Sequence, residues 1–152
     1  MGMTILLLRK ENKILLAMKK RRFGEGKYNG IGGKIEPGET PEEAMIRETQ
    51  EEIFVTPTQY YKVGVLDYMG FYGDIKTKEA THLYVATEWI GDPKESEEMK
   101  PEWFDIDKIP YDKMFADDKY WFPYILANKK INALFDFDEN WNVLSYKIDE
   151  IK

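Results

Sequence analysis

The amino-acid sequence predicts an α/β domain made of layered strands and helices. Short apolar runs of strand length are interspersed with two segments that carry helix signals, and no repeat, linker or low-complexity stretch separates them. With 152 residues and 43% hydrophobic side chains, the chain is expected to form one domain over residues 1–152 with a substantial core.

The strands are predicted from apolar runs that are bounded by turn residues. Residues 4–9 and 13–18 form the first pair, with Glu11 and Asn12 in the turn between them. The remaining predicted strands are 60–69, 81–90, a short one near Trp103-Phe104, and a closing hairpin of 131–137 with 141–148. Together with two helices, these strands are typical of a layered α/β domain.

The clearest helix covers residues 40–53. Its first residues, Thr-Pro-Glu-Glu at 40–43, form a capping box with proline at the first helical position. A second helix is predicted within residues 117–129. Pro123 leaves the first residue of this helix undetermined, because proline disrupts a helix interior.

A long glycine-rich loop precedes the first helix. Residues 20–39 hold six of the eleven glycines in the chain. A loop of this length in a compact domain is usually either functional or disordered. Phe23, Tyr28 and Ile31 argue for order, so the sequence predicts a functional loop.

The charge balance and the residue types exclude several kinds of partner. The formal net charge of −6 opposes binding of a nucleic-acid polymer, which relies on basic surface. A short polyanion can still bind if a divalent cation lies between the two negative partners. There is no cysteine, so disulfides and thiolate metal sites are excluded, and His82 is the only histidine.

No membrane segment is predicted. The apolar run at residues 5–8 is closed by Arg9 and Lys10, whereas a signal peptide carries its positive charge before a longer apolar stretch. No run approaches the roughly 18 apolar residues that a spanning helix requires. We therefore expect a cytoplasmic protein with no membrane partner.

Three glutamates lie close to the apolar side of the first predicted helix. At about 100° per residue, Glu48, Glu51 and Glu52 form a stripe beside Met45 and Ile53. Like charges at this spacing cost about 0.2–0.5 kcal/mol, and the helix dipole opposes negative charge at this end. A hard divalent cation would turn the stripe into a binding site. The alternative is an ordinary solvated face, which we assign to the acidic first turn of the helix.

This helix and the loop before it resemble the signature of the Nudix family. Its fixed residues occur here at the spacing glycine–five–glutamate–seven–arginine-glutamate–two–glutamate-glutamate, and they are Gly33, Glu39, Arg47, Glu48, Glu51 and Glu52. Thr49 replaces the usual aliphatic residue, and Phe54 replaces the usual glycine after the helix. The second change predicts that the helix ends without a left-handed glycine cap.

Segments outside the signature resemble the oxidised purine nucleoside triphosphatase branch of this family, the MutT-type 8-oxo-dGTP diphosphatases. They are residues 18–21, 23–24, 29–30, 32–34, 103–104, 117–118 and 120–123. The resemblance implies the Nudix fold, a mixed β-sheet sandwiched between α-helices. It also implies hydrolysis of oxidised purine nucleoside triphosphates to the monophosphate and pyrophosphate, which removes damaged nucleotides from the pool.

The resemblance implies a Mg²⁺ site, with Mn²⁺ as a substitute. The implied metal ligands are the carbonyl of Gly33 and the carboxylates of Glu48, Glu51, Glu52 and Glu98. Arg47 and Glu39 belong to the implied catalytic set, in which Arg47 orients the glutamates. Either Glu48 or Glu52 would accept the proton of the attacking water. For Glu98 the alternative is an ordinary place in the acidic loop 95–98.

The implied substrate site combines polar groups with aromatic walls. Asn29, Asp117 and Asp118 would read the base edge, and one aspartate would stay protonated because burial and a neighbouring carboxylate raise its pKa. The alternatives are a turn residue for Asn29 and a helix N-cap for an aspartate. The expected walls are Phe23, Tyr68, Phe115 and Trp121. The other expected contacts are Thr4, Ile31, Gly32, Gly33 and, at the phosphates, Lys19 and Lys34.

Two other functions stay open at this point: hydrolysis of another nucleotide, which is a dinucleoside polyphosphate or a normal dNTP, and nucleotide binding without catalysis. Tyr72 lies 17 residues beyond Val55, about where dinucleoside polyphosphate hydrolases of the family place a tyrosine. A nucleotide-binding regulator without activity is less favoured, because such modules often lose carboxylates that this chain retains. The expected partner is a small-molecule nucleoside triphosphate, and the expected oligomeric state is a monomer.

Overall fold

The computed structural model describes residues 2–152, which form eight strands, two α-helices and one 3₁₀ turn. In chain order they are β1 (Met3–Lys10), β2 (Lys13–Lys19), β3 (Tyr28–Asn29), α1 (Pro41–Ile53), β4 (Thr56–Tyr72), β5 (Ile75–Ile90), β6 (Met99–Asp105), the 3₁₀ turn (Tyr111–Lys113), α2 (Asp118–Leu126), β7 (Lys130–Phe137) and β8 (Val143–Ile151). Neither helix has the length and apolar character that crossing a bilayer requires.

The strands form one mixed sheet. Its order is β3-β2-β1-β5-β4-β7-β8, and β6 pairs with β2. The pairs β1–β5 and β4–β7 are parallel, and the other pairs are antiparallel. Parallel pairs bring together strands that are distant in the sequence, so the long connections run across the faces of the sheet.

Alternate residues of β1 are buried on opposite faces of this sheet. Ile5 and Leu7 belong to one core cluster, which includes Trp121 from α2. Leu6 and Leu8 belong to a second cluster, which includes residues of α1. A strand with two buried faces must be covered on both sides. The predicted mixed sheet between α-helices is therefore confirmed.

The largest difference from the sequence prediction is the hairpin of β4 and β5. These strands extend beyond their predicted ends and pair along the β4–β5 arm (residues 70–80), where Tyr72 lies opposite Ile75. Most side chains of the arm are exposed, and several are charged. Backbone hydrogen bonds between the two strands hold the arm together, and its exposed, charged side chains weaken the apolar alternation on which strand prediction relies.

Both helix ends that the sequence left in question are well defined. Helix α2 begins at Asp118 and retains Pro123 in its interior. Helix α1 ends on Phe54, which adopts the left-handed conformation at φ 63° and ψ 36°, and whose N–H donates to the Gln50 carbonyl. The cap conformation is thus kept without glycine, although a non-glycine residue seldom adopts it.

Candidate active site

The start of α1 fixes the direction of the acidic helix. Thr40 Oγ1 accepts the Glu43 N–H at 3.1 Å, and the Glu43 carboxylate accepts the Thr40 N–H at 2.9 Å. This reciprocal pair satisfies two helix-terminal donors, as the capping-box prediction requires. The helix then presents its carboxylates one and two turns further along.

Arg47 ties the glycine-rich loop to α1. Its Nε and Nη2 atoms donate to the two carboxylate oxygens of Glu39 at 2.7 and 3.0 Å. Nη2 also donates to the Lys34 carbonyl at 3.1 Å. Hydrogen bonding to Arg47 lowers the pKa of Glu39, so this carboxylate stays ionised and the two-pronged contact persists.

The same guanidinium holds two of the three helix glutamates. Arg47 Nη1 donates to Glu48 at 3.0 Å and to Glu51 at 3.2 Å. Glu48 is largely buried, whereas the side chain of Glu51 is 60% exposed. Arg47 therefore offsets much of the repulsion that the sequence predicts on this helix.

Glu52 lies deeper than its neighbours and is poorly satisfied. It is 8% exposed, and its Oε2 atom has no hydrogen-bond partner among residues 2–152. Burial, together with a hydrogen bond and charge repulsion from Glu48, raises the pKa of Glu52 to about 9, while Lys19 opposes the shift. An orphaned buried carboxyl indicates a site that needs a positive partner.

Gly33 allows the loop backbone to approach this cluster. A Cβ atom at position 33 would lie 2.6 Å from Glu48 Cδ, so any side chain would displace the carboxylate. The Gly33 carbonyl accepts the Thr4 N–H at 2.9 Å and keeps its second lone pair for another partner.

The chemistry of these groups suits a hard divalent cation. Glu48, Glu52 and the Gly33 carbonyl supply oxygen donors, and the orphaned Oε2 needs a partner. As it stands, the part of the chain from 2 to 152 contains no three acidic side chains that already converge on one point. Glu51 bonds to Arg47 and Glu98 bonds to Arg21, each through one carboxylate oxygen, so each has a second oxygen for the ion.

A cavity of about 690 Å³ extends from the lysines beside this cluster to the start of α2. Its volume lies within the range of small-molecule sites. Ten residues predicted to contact substrate line it: Thr4, Lys19, Phe23, Asn29, Gly32, Lys34, Tyr68, Phe115, Asp117 and Asp118.

Two adjacent buried aspartates lie in the wall of the cavity. Asp117 accepts the Tyr68 hydroxyl at 2.7 Å and the Trp121 indole N–H at 2.8 Å. Asp118 accepts the Phe115 N–H at 3.1 Å. Asp117 occupies the N-cap position of α2, as the alternative expected, but its side chain makes no capping bond to the helix.

Burial favours the protonated form of both aspartates. Asp117 and Asp118 are 4% and 2% exposed. Burial raises the pKa of Asp117, although hydrogen bonds from Tyr68 and Trp121 oppose the shift. Burial and the charge of Asp117 raise the pKa of Asp118 well above its usual value. Both shifts favour the protonated form of these carboxyls, most strongly at Asp118.

Two smaller polar groups complete the wall. Thr4 is 1% exposed, and its Oγ1 atom has no partner among residues 2–152, which leaves it available to a ligand. Asn29 lies in β3 opposite Ala17, and its Oδ1 atom accepts the Gly30 N–H at 2.8 Å. The alternative that Asn29 is a turn residue is therefore wrong, since the residue belongs to a strand.

Three residues predicted to bind substrate do not line the cavity. Ile31 is fully buried in the cluster beneath α1, because its bridge to Leu6 turns it to that face of the sheet. Trp121 is fully buried between α2 and the sheet, so it supports Asp117 instead of forming a wall. Gly33 contacts Glu48 at the acidic cluster.

Sequence reasoning missed several aromatic and charged residues of the cavity. They are Arg22, Phe71, Glu79, Phe137 and Trp141; Tyr72, which the sequence suggested only for a dinucleoside polyphosphate, lines the cavity with them. Phe71, Tyr72 and Glu79 belong to the unpredicted β4–β5 arm. Alternation of Leu66, Tyr68 and Tyr72 on one face of a strand is the signal that could have extended β4 and found the arm.

Comparison with known proteins agrees with this geometry. The NUDIX domain model matches residues 1–125. The chain is 41% identical over 150 residues to the oxidized purine nucleoside triphosphate hydrolase of Danio rerio, covering 99% of this chain and 95% of the relative. It is 40% identical over 148 residues to the protein of the same name in Mus musculus, covering 97% and 94%. The crystal structure of a MutT protein from Bacillus halodurans superposes with a TM-score of 0.85 and 28% identity, covering 97% of each chain. On this evidence, the chain belongs to the Nudix family.

Proposed function

We propose that this protein hydrolyses oxidised purine nucleoside triphosphates such as 8-oxo-dGTP to the monophosphate and pyrophosphate, with Mg²⁺. The observation that carries the proposal is a cavity that contains the buried aspartate pair and reaches Lys19, Gly32 and Lys34, which lie beside the acidic cluster of α1. Such a cavity can bind a phosphate chain at one end and a base at the other. The similarity to oxidized purine nucleoside triphosphate hydrolases supports the same substrate class.

At the acidic end, Glu48, Glu51, Glu52 and the Gly33 carbonyl would hold Mg²⁺ or Mn²⁺, with Glu98 as a further ligand. When bound, the ion would neutralise phosphate oxygens and lower the pKa of a water molecule. Arg47 positions Glu48 and Glu51 through its hydrogen bonds. Glu39 holds Arg47 in place from the loop.

The proton of the attacking water passes to a carboxylate of α1. Glu52 and Glu48 are the two candidates, and both lie in the acidic cluster next to Lys19 and Gly33. Lys19 and Lys34 line the cavity near this end and would neutralise the phosphate chain. Substitution at phosphorus then releases the monophosphate and pyrophosphate.

At the other end, the aspartate pair would read the base. An 8-oxo purine carries an N–H donor at position 7 and a carbonyl acceptor at position 8, and an ordinary purine has an acceptor at position 7. A neutral Asp118 can donate while Asp117 accepts, so the pair can recognise a donor beside an acceptor. Phe23 and Phe115, stacked at 5.7 Å between centroids, provide apolar surface near this end.

We also propose that the protein acts as a monomeric single domain on small nucleotides in the cytoplasm. The net charge of −6 disfavours a nucleic-acid polymer as partner. A dinucleoside polyphosphate is the second candidate substrate, because Tyr72 lines the cavity where the phosphate chain or second base of such a molecule could reach.

A Mg²⁺-supplied substrate panel tests the proposal. We expect kcat/KM for 8-oxo-dGTP or 2-oxo-dATP to exceed that for dGTP by at least about tenfold, because an unpaired polar group in the base site penalises the ordinary purine. The products should be the monophosphate and pyrophosphate, identified by chromatography. A higher kcat/KM for diadenosine polyphosphates or ADP-ribose would favour a different nucleotide substrate.

Replacing Asn29 with alanine tests base recognition. Loss of one base contact should lower kcat/KM for 8-oxo-dGTP by about fivefold, mainly through KM, because a hydrogen bond to a neutral group contributes about 1 kcal/mol. Cleavage of pyrophosphate bonds in poorly recognised nucleotides should change much less. Asn12→Ala, at the exposed β1–β2 turn, is the matched control. An equal loss on every nucleotide would place Asn29 outside base recognition.

A further inference from the structure

Trp141 lies in a hydrogen-bonded turn between β7 and β8. Asp138 Oδ1 accepts the N–H groups of Asn140 and Asn142 at 2.8 and 2.9 Å, and the Asp138 carbonyl accepts the Trp141 N–H at 3.1 Å. Trp141 itself has a left-handed backbone, with φ 61°. The turn therefore holds the indole in position before any ligand arrives.

The indole packs directly on Gly70 of β4. A Cβ atom at position 70 would lie 2.4, 2.5 and 3.2 Å from three carbons of the Trp141 ring. Gly70 does not have a positive φ, so this position needs glycine for space and not for backbone conformation. Gly70 therefore leaves the space in which the indole of Trp141 packs.

Trp141 also joins an aromatic group at the cavity. Its ring lies 5.5 Å from Phe23, 5.8 Å from Tyr72 and 5.2 Å from Phe137, measured between centroids. All four residues line the cavity that contains Asp117. Trp141 is only half-buried, so part of its apolar ring faces the space that a ligand would enter.

We propose that Trp141, packed on Gly70, is a specificity-determining residue. It would select the base by stacking on it and by limiting the space in the cavity. The inference rests on the proposed function for the identity of the base. A flat indole face suits any nucleobase, and stacking is stronger on the larger ring system of a purine. The aspartate pair would then recognise the base edge, while Trp141 selects purines over pyrimidines.

Removing the indole should weaken substrate binding without impairing the chemical step. For Trp141→Ala we expect KM for 8-oxo-dGTP to rise about tenfold with little change in kcat, because base stacking on an aromatic ring contributes about 1–3 kcal/mol. The preference for purine over pyrimidine triphosphates should fall. Trp141→Phe should recover most of both, and Leu144→Ala, exposed on the same hairpin, should resemble the parent.

The left-handed backbone at position 141 does not affect the comparison between Trp141→Ala and Trp141→Phe. Alanine and phenylalanine meet the same left-handed strain at position 141 as tryptophan does, so differences among the three report on the ring. Unchanged KM and unchanged base preference in Trp141→Ala, with a folded protein, would overturn the proposal.

A double-mutant cycle tests whether Gly70 positions the indole of Trp141. Gly70→Ala should displace the indole and raise KM in the same direction as Trp141→Ala. In the Trp141→Ala background, Gly70→Ala should have little further effect, because the ring with which its Cβ collides is gone. Additive effects on KM would show that Gly70 and Trp141 act separately, and would contradict the claim that Gly70 positions the indole.

Binding without turnover separates this inference from the proposed function. In EDTA, 8-oxo-dGMP and dGMP should change the tryptophan fluorescence of the parent more than dCMP does, and Trp141→Phe should lose most of that change. This result, in a protein that fails to hydrolyse 8-oxo-dGTP, would support Trp141 and contradict the proposed function. Hydrolysis of 8-oxo-dGTP with the same fluorescence change in parent and Trp141→Phe would do the reverse.

Discussion

Replacing Glu52 with glutamine is expected to lower kcat for 8-oxo-dGTP by about 10³-fold while leaving the fold intact. Positioned proton transfer contributes about 10²–10⁴-fold to catalysis, and loss of a metal ligand would add to the effect. The fold should persist because glutamine has nearly the same shape and removes a buried carboxyl whose Oε2 has no partner. Steady-state kinetics and thermal unfolding in EDTA measure the two effects.

A magnesium titration separates the two roles of Glu52. If it accepts the proton, the variant should require the same Mg²⁺ concentration for its residual activity; if it is a ligand, that concentration should rise. Glu43→Gln is the control, since glutamine still completes a capping box at the exposed start of the same helix. Activity near that of the parent in Glu52→Gln would transfer the assignment to Glu48.

Replacing Asp118 with alanine is expected to lower kcat/KM for 8-oxo-dGTP by about a hundredfold. The change removes a group that would donate to the base and leaves the base donor or acceptor unpaired in a dry site, which costs about 1–3 kcal/mol. Asp118→Asn keeps a donor of similar size and should lose less. Equal activity of the parent and both variants on 8-oxo-dGTP would remove Asp118 from base recognition.

The aspartate pair also predicts how stability changes with pH. The folded-state pKa of Asp118 lies well above its usual value, so the folded protein keeps a proton that the unfolded chain releases. Its stabilisation is present at low pH and is lost as pH rises through the raised folded-state pKa. Asp118→Asn carries no such proton, so the parent should lose stability relative to the variant as pH rises.

Urea unfolding of the parent and Asp118→Asn across pH 5 to 9 measures this difference. Asp117→Asn should show a change of the same sign, because burial raises the pKa of Asp117 too. The two aspartates are neighbours, so the double variant should show less than the sum of the single effects. A constant difference between parent and variant at every pH would contradict the raised pKa of Asp118.

Much of the acidic site could be predicted from the sequence, because the features that build it are local. The capping box sets where α1 begins, and spacings of three and four residues put Glu48, Glu51 and Glu52 on one side of it. Arg47 reaches Glu48 and Glu51 within one turn of the same helix. The hairpin of β1 and β2 was equally clear, since its turn residues and apolar runs adjoin.

The base end of the cavity depended on contacts that no local pattern encodes. Whether Trp121 forms a wall or supports Asp117 is decided by how α2 packs on the sheet. Ile31 turned to the opposite face because its bridge to Leu6 sets its side.

By itself, the sequence determined the family, the layered fold and the helix that carries the carboxylates, because capping and helical spacing act within a few residues. Only the tertiary structure decided which aromatic rings surround the base end. Gly70 and Trp141 meet there through strand pairing and a distant turn, and burial against the sheet raises the pKa of Asp118. Packing and desolvation depend on the whole fold, so neither can be deduced from neighbours in the chain.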